Sequence, residues 1–115
     1  MPVGFIELFH GTDVSSAWDI LERGFNMQTA FETMGTGDAL WTTTSRDYAW
    51  MFAQANPAGG TPAMVKILVP DFFIDQMRET HYLSILGTVH RFEPEAVNGL
   101  NIFGRISMVY DHDKS

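Results

Sequence analysis

The sequence has no cysteine. That excludes a disulfide framework, a thiolate zinc site and a cysteine nucleophile, and it allows a reducing compartment. Long apolar runs are missing as well: no stretch approaches the about 18 apolar residues of a membrane-crossing helix. The N-terminus has neither the basic region nor the apolar run of a secretory leader. These absences lead to the expectation of a cytoplasmic protein with no membrane partner. Basic residues are scarce, 7 Lys and Arg against 14 Asp and Glu, for a formal charge of −7. That field repels phosphate backbones, so nucleic acid is disfavoured as a partner. It repels a dinucleotide diphosphate too. Any such site must use local donors: backbone N–H groups, Arg23, Arg46, Lys66, Arg78, Arg91 or Arg105. Internal repeats, low-complexity runs and linkers are absent, so residues 1–115 read as one domain. The acidic tail Asp111 to Ser115 reads as frayed.

What is present is globular in kind, 45% apolar and 13% aromatic. The stretch from Phe5 to Phe52 organises the rest. Residues 4–10 form an apolar run that predicts a central strand ending at His10. Thr12 or Asp13, with Ser15 and Ser16 as other candidates, can cap a short helix. Ala17, Ile20 and Leu21 give it an apolar face, widened by Trp18, and Gly24 stops it as a left-handed residue. Phe25 is expected to pack back onto it. Residues 26–38 read as a loop, most flexible at Gly35-Thr36-Gly37 and pinned by Met27 and Phe31. Residues 39–43 predict a second strand. Ser45 caps a helix from Arg46 to Ala55, whose face carries Tyr48, Ala49, Phe52 and Ala53.

Asn56-Pro57 ends that helix and Gly59-Gly60 makes a turn. Ala63 to Val69 predicts a third strand, closed by Pro70. Asp71 to Arg78 reads as a short helix that buries Phe72, Phe73 and Met77. Tyr82 to Leu86 and Thr88 to Phe92 read as strands with a bulge at Gly87. Residues 93–97 read as a turn or a single helical turn, then Leu100 to Phe103 and Arg105 to Tyr110 as final strands. The fold class expected is α+β, with antiparallel-rich sheets and two or three short helices.

Three motifs carry the chemistry: His10-Gly11-Thr12 at a strand end, a Gly-rich segment followed by Ala39-Leu40-Trp41-Thr42-Thr43-Thr44, and a helix bearing Phe52. Taken singly, Trp41 and Phe52 read as core residues, His10 as structural and the threonines as β formers. Taken in order, they resemble the diphtheria-toxin and poly-ADP-ribose-polymerase class of ADP-ribosyltransferases. The resemblance covers Phe5 to about Val69. It implies a small ADP-ribosyltransferase-like fold of two packed sheets. It also implies NAD+ as substrate and transfer of ADP-ribose, once, to a protein acceptor. On that resemblance Gly11 offers its backbone to the nicotinamide carboxamide, Thr12 adds a hydroxyl, and His10 bonds a ribose hydroxyl. Trp41 and Phe52 flank the nicotinamide, with Thr42 beside Trp41 in the cofactor-binding set. Two aromatic faces around a planar ring contribute on the order of 1 kcal/mol each beyond area burial.

Cleavage of the nicotinamide–ribose bond passes through an oxocarbenium-like state, which a carboxylate stabilises. The family places a Glu on a later strand. If Tyr82 to Leu86 is that strand, Glu79 lies just before it and is the catalytic candidate beside His10 and Trp41. If Arg105 to Tyr110 is, the matching residue is Ile106. Glu93 and Glu95 form a Glu-x-Glu pattern like another branch, interrupted by Pro94. Relatives with an apolar residue at the Glu position are linked to single transfer or to loss of activity. The alternative expectation is therefore an inactive module that binds a protein partner or ADP-ribose. No metal is expected, because His10, His81, His90 and His112 lack ligand spacing. The chain also has no Gly-x-Ser-x-Gly elbow, and Gly35-Thr36-Gly37 is no dinucleotide fingerprint. The small size suits a phage or bacterial effector or toxin.

Overall fold

The computed structural model describes residues 4–25, 39–55 and 60–109. The expectations for Met27, Phe31, Gly35-Thr36-Gly37, Asn56-Pro57, Gly59 and the acidic tail lie outside the described residues. The elements are β1 (Phe5–Asp13), α1 (Val14–Arg23), β2 (Leu40–Thr43), α2 (Arg46–Gln54), β3 (Pro62–Pro70), α3 (Asp71–Glu79), β4 (Leu83–Leu86), β5 (Val89–Phe92), α4 (Pro94–Phe103) and β6 (Arg105–Met108). The strands form one sheet in the order β4-β5-β2-β1-β3-β6, and every pairing is antiparallel.

The α+β class holds. Among the described residues one sheet stands where two packed sheets were expected, and four helices where two or three were. The sheet is nearly divided, however. β1 pairs with β3 along its whole length, but with β2 only where Phe9 faces Thr43. Two three-stranded halves, β4-β5-β2 and β1-β3-β6, therefore meet at a single rung.

β1 runs through His10 to Asp13, longer than its apolar run, because β3 continues opposite it as far as Pro62. The two prolines of β3 cost no ladder bond there. Even-numbered β3 residues bond toward β6, and among the described residues β6 reaches only 64–68, so Pro62 and Pro70 lack an N–H where no described strand runs opposite. Asp13 caps α1 by accepting from the Ser16 N–H, and Ser45 caps α2 by accepting from that of Tyr48. Gly87 (φ +63°) sits in the two-residue turn between the paired Leu86 and Val89, a hairpin turn and not a bulge.

The largest local departure is α4, which takes in the predicted strand Leu100 to Phe103. Pro94 starts the helix, and Ala96, Val97 and Leu100 recur at helical spacing on its buried side. In α3, Phe73 and Ile74 face inward, while Phe72 is half exposed and rests edge-on against Phe103.

The main core lies on one face of the sheet. Leu8, Val65, Ile67, Val69, Leu40, Phe92 and Leu83 pack there under α1, α3 and α4. The other face carries a smaller cluster of Phe9, Met64 and Ala49 under α2.

α3 ends with the Tyr82 N–H bonded to the Met77 carbonyl at 2.9 Å, and His81 holds a left-handed φ of 66° where such caps favour glycine. His81→Gly is expected to stabilise the chain by about 1 kcal/mol, read as a higher urea midpoint at unchanged slope. No gain would mean that the imidazole makes a compensating contact.

Candidate functional site

The site grows out of the point where β1 and β2 part. The Val14 N–H bonds the Thr61 carbonyl and the Asp71 N–H bonds that of Gly4, which fixes the alternation along β1. Leu8, His10 and Thr12 bond β3; Phe9, Gly11 and Asp13 turn their N–H and C=O toward β2. On β2, the Thr44 N–H bonds the Thr88 carbonyl, so Leu40 and Thr42 serve β5 while Trp41 and Thr43 turn toward β1. The rung after Phe9–Thr43 would join Gly11 to Trp41. It does not form. The His10 side chain takes its place, with Nδ1 2.9 Å from the Trp41 carbonyl oxygen. The Gly11 amide and carbonyl are left facing the opening between the strands.

This bond settles the state of the imidazole. A carbonyl only accepts, so Nδ1 carries the proton and donates. The ring is half-buried by exposed surface but set deep among protein atoms, and burial pushes its pKa below 6.5, against the opposing effect of the Trp41 carbonyl. At pH 7 His10 is neutral and Nε2 is an acceptor, suited to a hydroxyl donor. Behind it, the Phe25 ring meets the imidazole edge to face, with centroids 5.6 Å apart.

Gly11 serves a second purpose. A Cβ there would fall 2.0 Å from the Ala49 carbonyl oxygen and 2.7 Å from the Ala53 nitrogen. The side where Gly11 lacks a side chain is thus occupied by α2; the strand edge, not the missing side chain, presents the peptide to the opening. Phe52 lies between these two alanines in the helix. It is 49% exposed and pairs with Tyr48 at 4.8 Å. Trp41 shares the Thr43 and Phe9 face by strand alternation, is 41% exposed, and has the Arg91 guanidinium 5.6 Å from its ring centroid. His10 stands on the opposite face, with Leu8. The imidazole and the Trp41 ring thus come to the opening from opposite sides of the sheet, and Phe52 sits on the helix covering Gly11.

Other expected residues have different places. Thr42 is buried, and its hydroxyl donates to the His90 carbonyl at 3.1 Å on the face away from Trp41. Thr12 is buried and on the His10 face. Glu79 is exposed at the end of α3, leading into edge strand β4, with β5 and β2 between that strand and β1. Ile106 is on β6, paired with Ile67. Glu95 is exposed in the first turn of α4. The residue aligned with Trp41 on β5 is Arg91, ion-paired to Glu93. A cation, not a carboxylate, therefore flanks the indole. Glu93 follows the end of β5 in extended backbone, so the Arg-x-Glu spacing puts both side chains on one side, a signal readable in the sequence. Of the face expected to carry Tyr48, Ala49, Phe52 and Ala53, only the two alanines are buried; small side chains at i, i+4 opposite a strand glycine mark close helix approach.

No protein-family model matches the chain, and no curated protein matches it.

Two outcomes follow. Gly11→Ala is expected to destabilise by about 3 kcal/mol, because the clash is with helix backbone; an unchanged urea midpoint would contradict the packing. His90 is also buried, which pushes its pKa down, with the Thr88 carbonyl opposing and the Arg78 charge adding to the fall. Both histidines protonate more readily unfolded than folded. Their contribution is complete above 6.5 and is lost as pH falls below it toward their folded values. The urea midpoint is expected to drop from pH 7.5 to about 5.5, and less steeply in His10→Gln/His90→Gln.

Proposed function

We propose that the chain binds NAD+ at the opening between β1 and β2, cleaves it, and transfers a single ADP-ribose to a protein acceptor. The observation that carries this reading is the His10 bond to the Trp41 carbonyl, which replaces a ladder rung and leaves the Gly11 peptide facing outward. A carboxamide needs one donor and one acceptor at peptide spacing, and Gly11 has both. Trp41, on the strand that parts from β1 there, and Phe52, on the helix that packs against Gly11, are large exposed rings available to a flat pyridine ring. His10 Nε2 can accept from a ribose hydroxyl. In the reaction the ribose–nitrogen bond breaks, nicotinamide leaves with the electron pair, and an acceptor side chain attacks the ribose carbon and gives up its proton. A chain without cysteine suits the cytoplasm, where NAD+ is available.

One observation favours a second reading. Arg91 stands beside Trp41 where cleavage would use a carboxylate, and Glu93 is tied to Arg91. A module that binds NAD+, ADP-ribose or a protein partner without catalysis needs no carboxylate there.

Thermal unfolding with NAD+ and with nicotinamide, followed by incubation with labelled NAD+ and candidate acceptors, separates the two. Binding at 100 times the dissociation constant stabilises by about 2.7 kcal/mol. The transferase releases nicotinamide and passes label, and His10→Ala abolishes both with the fold retained. Stabilisation without release supports the module. The absence of any stabilisation by NAD+, nicotinamide or ADP-ribose refutes a ligand site at this opening.

A further inference from the structure

The contacts behind His10 begin on α4. The Phe25 N–H donates to Asn101 Oδ1 at 2.8 Å, and Asn101 Nδ2 donates to the Phe25 carbonyl at 3.0 Å. One side-chain amide thus copies a rung of an antiparallel ladder. A side-chain amide carries its donor and acceptor side by side on one planar group, as the backbone rung requires. Gly24 makes room for it: at φ +81°, a Cβ there would lie 2.7 Å from Asn101 Oδ1. Held in this way, the buried Phe25 ring meets the His10 imidazole with planes at 83°, and His10 reaches the Trp41 carbonyl.

We propose that Asn101 is a positioning residue of the site, which through the Phe25 ring holds the His10 imidazole with Nδ1 on the Trp41 carbonyl and Nε2 as the acceptor. Two things oppose a half-turn of the imidazole about its outer torsion: the bond to Trp41 and the edge-to-face contact with Phe25. The half-turn would exchange Nδ1 for a carbon and lose the Trp41 bond. A Phe25 backbone released from Asn101 no longer keeps its ring in register with His10. The link from Asn101 to His10 stands by itself; its effect on ligand affinity rests on the NAD+ reading.

The test is nitrogen-15 and proton NMR of the histidine rings in the full chain, with NAD+ affinity measured alongside. In the native sequence His10 is expected as the Nδ1–H tautomer, with ring protons displaced by the Phe25 ring current. In Asn101→Ala the His10 nitrogens are expected to move toward a mixture of tautomers and the ring-current displacement to shrink. The His90 signals, on β5, stay in place, and NAD+ affinity falls about tenfold. Asn101→Asp, which keeps the acceptor and loses the donor, is expected to lie between. Should Asn101→Ala fail to fold, Phe25→Leu leaves the backbone clamp intact and is expected to give the same change in tautomer. A folded Asn101→Ala with His10 nitrogens and ring protons as in the native chain overturns the proposal, as does a Phe25→Leu chain with an unchanged tautomer. A His10 response in a chain that binds no NAD+ upholds the role of Asn101 and overturns the site reading.

Discussion

A single imidazole-to-carbonyl bond decides the character of this sheet. Antiparallel strands close by pairing every backbone donor with an acceptor, and β1 and β2 begin to do so at Phe9 and Thr43. His10 then satisfies the Trp41 carbonyl from the side. That relieves β2 of the need for a second rung and keeps the strands apart. The Trp41 carbonyl thus has a protein partner without the Gly11 amide being used. The same bond selects the tautomer, and burial keeps the ring neutral, so one contact sets both the geometry and the chemistry of the opening.

The surrounding residues make sense around that bond. α2 rests against Gly11 through the backbone at Ala49 and Ala53, and the same helix carries the exposed Phe52. On the far face Phe25 backs the imidazole, and its peptide is held by α4. Arg91 lies across Trp41 and is neutralised by Glu93. The opening is therefore bounded by elements from both halves of the chain, although its central motif spans three residues.

Much of this was legible beforehand where local pattern and tertiary context agree. The strands that hold His10 and Trp41, the caps at Asp13 and Ser45, and the helix bearing Phe52 are marked by apolar periodicity and small polar residues. The extension of β1 to Asp13 was not, because only the length of β3 determines it. α4 was hidden by Ile102 and Phe103, whose β propensity misleads when the buried stripe Ala96-Val97-Leu100 is short. The place of Glu79 was unreadable for a topological reason: which strand lies beside β2 is set by the order β4-β5-β2, and β5 brings Arg91 beside Trp41.

The one-rung junction has a consequence for how backbone protons trade with solvent. In most sheets protection is greatest at the middle strands and fades toward the rims. Here the two central strands separate just beyond Phe9, so the Gly11 amide, flanked by strands on both sides, has no rung to β2 where its neighbours Leu8 and His10 are locked to β3. An interior amide more labile than its neighbours is thus expected at the centre of the sheet and not at its rim.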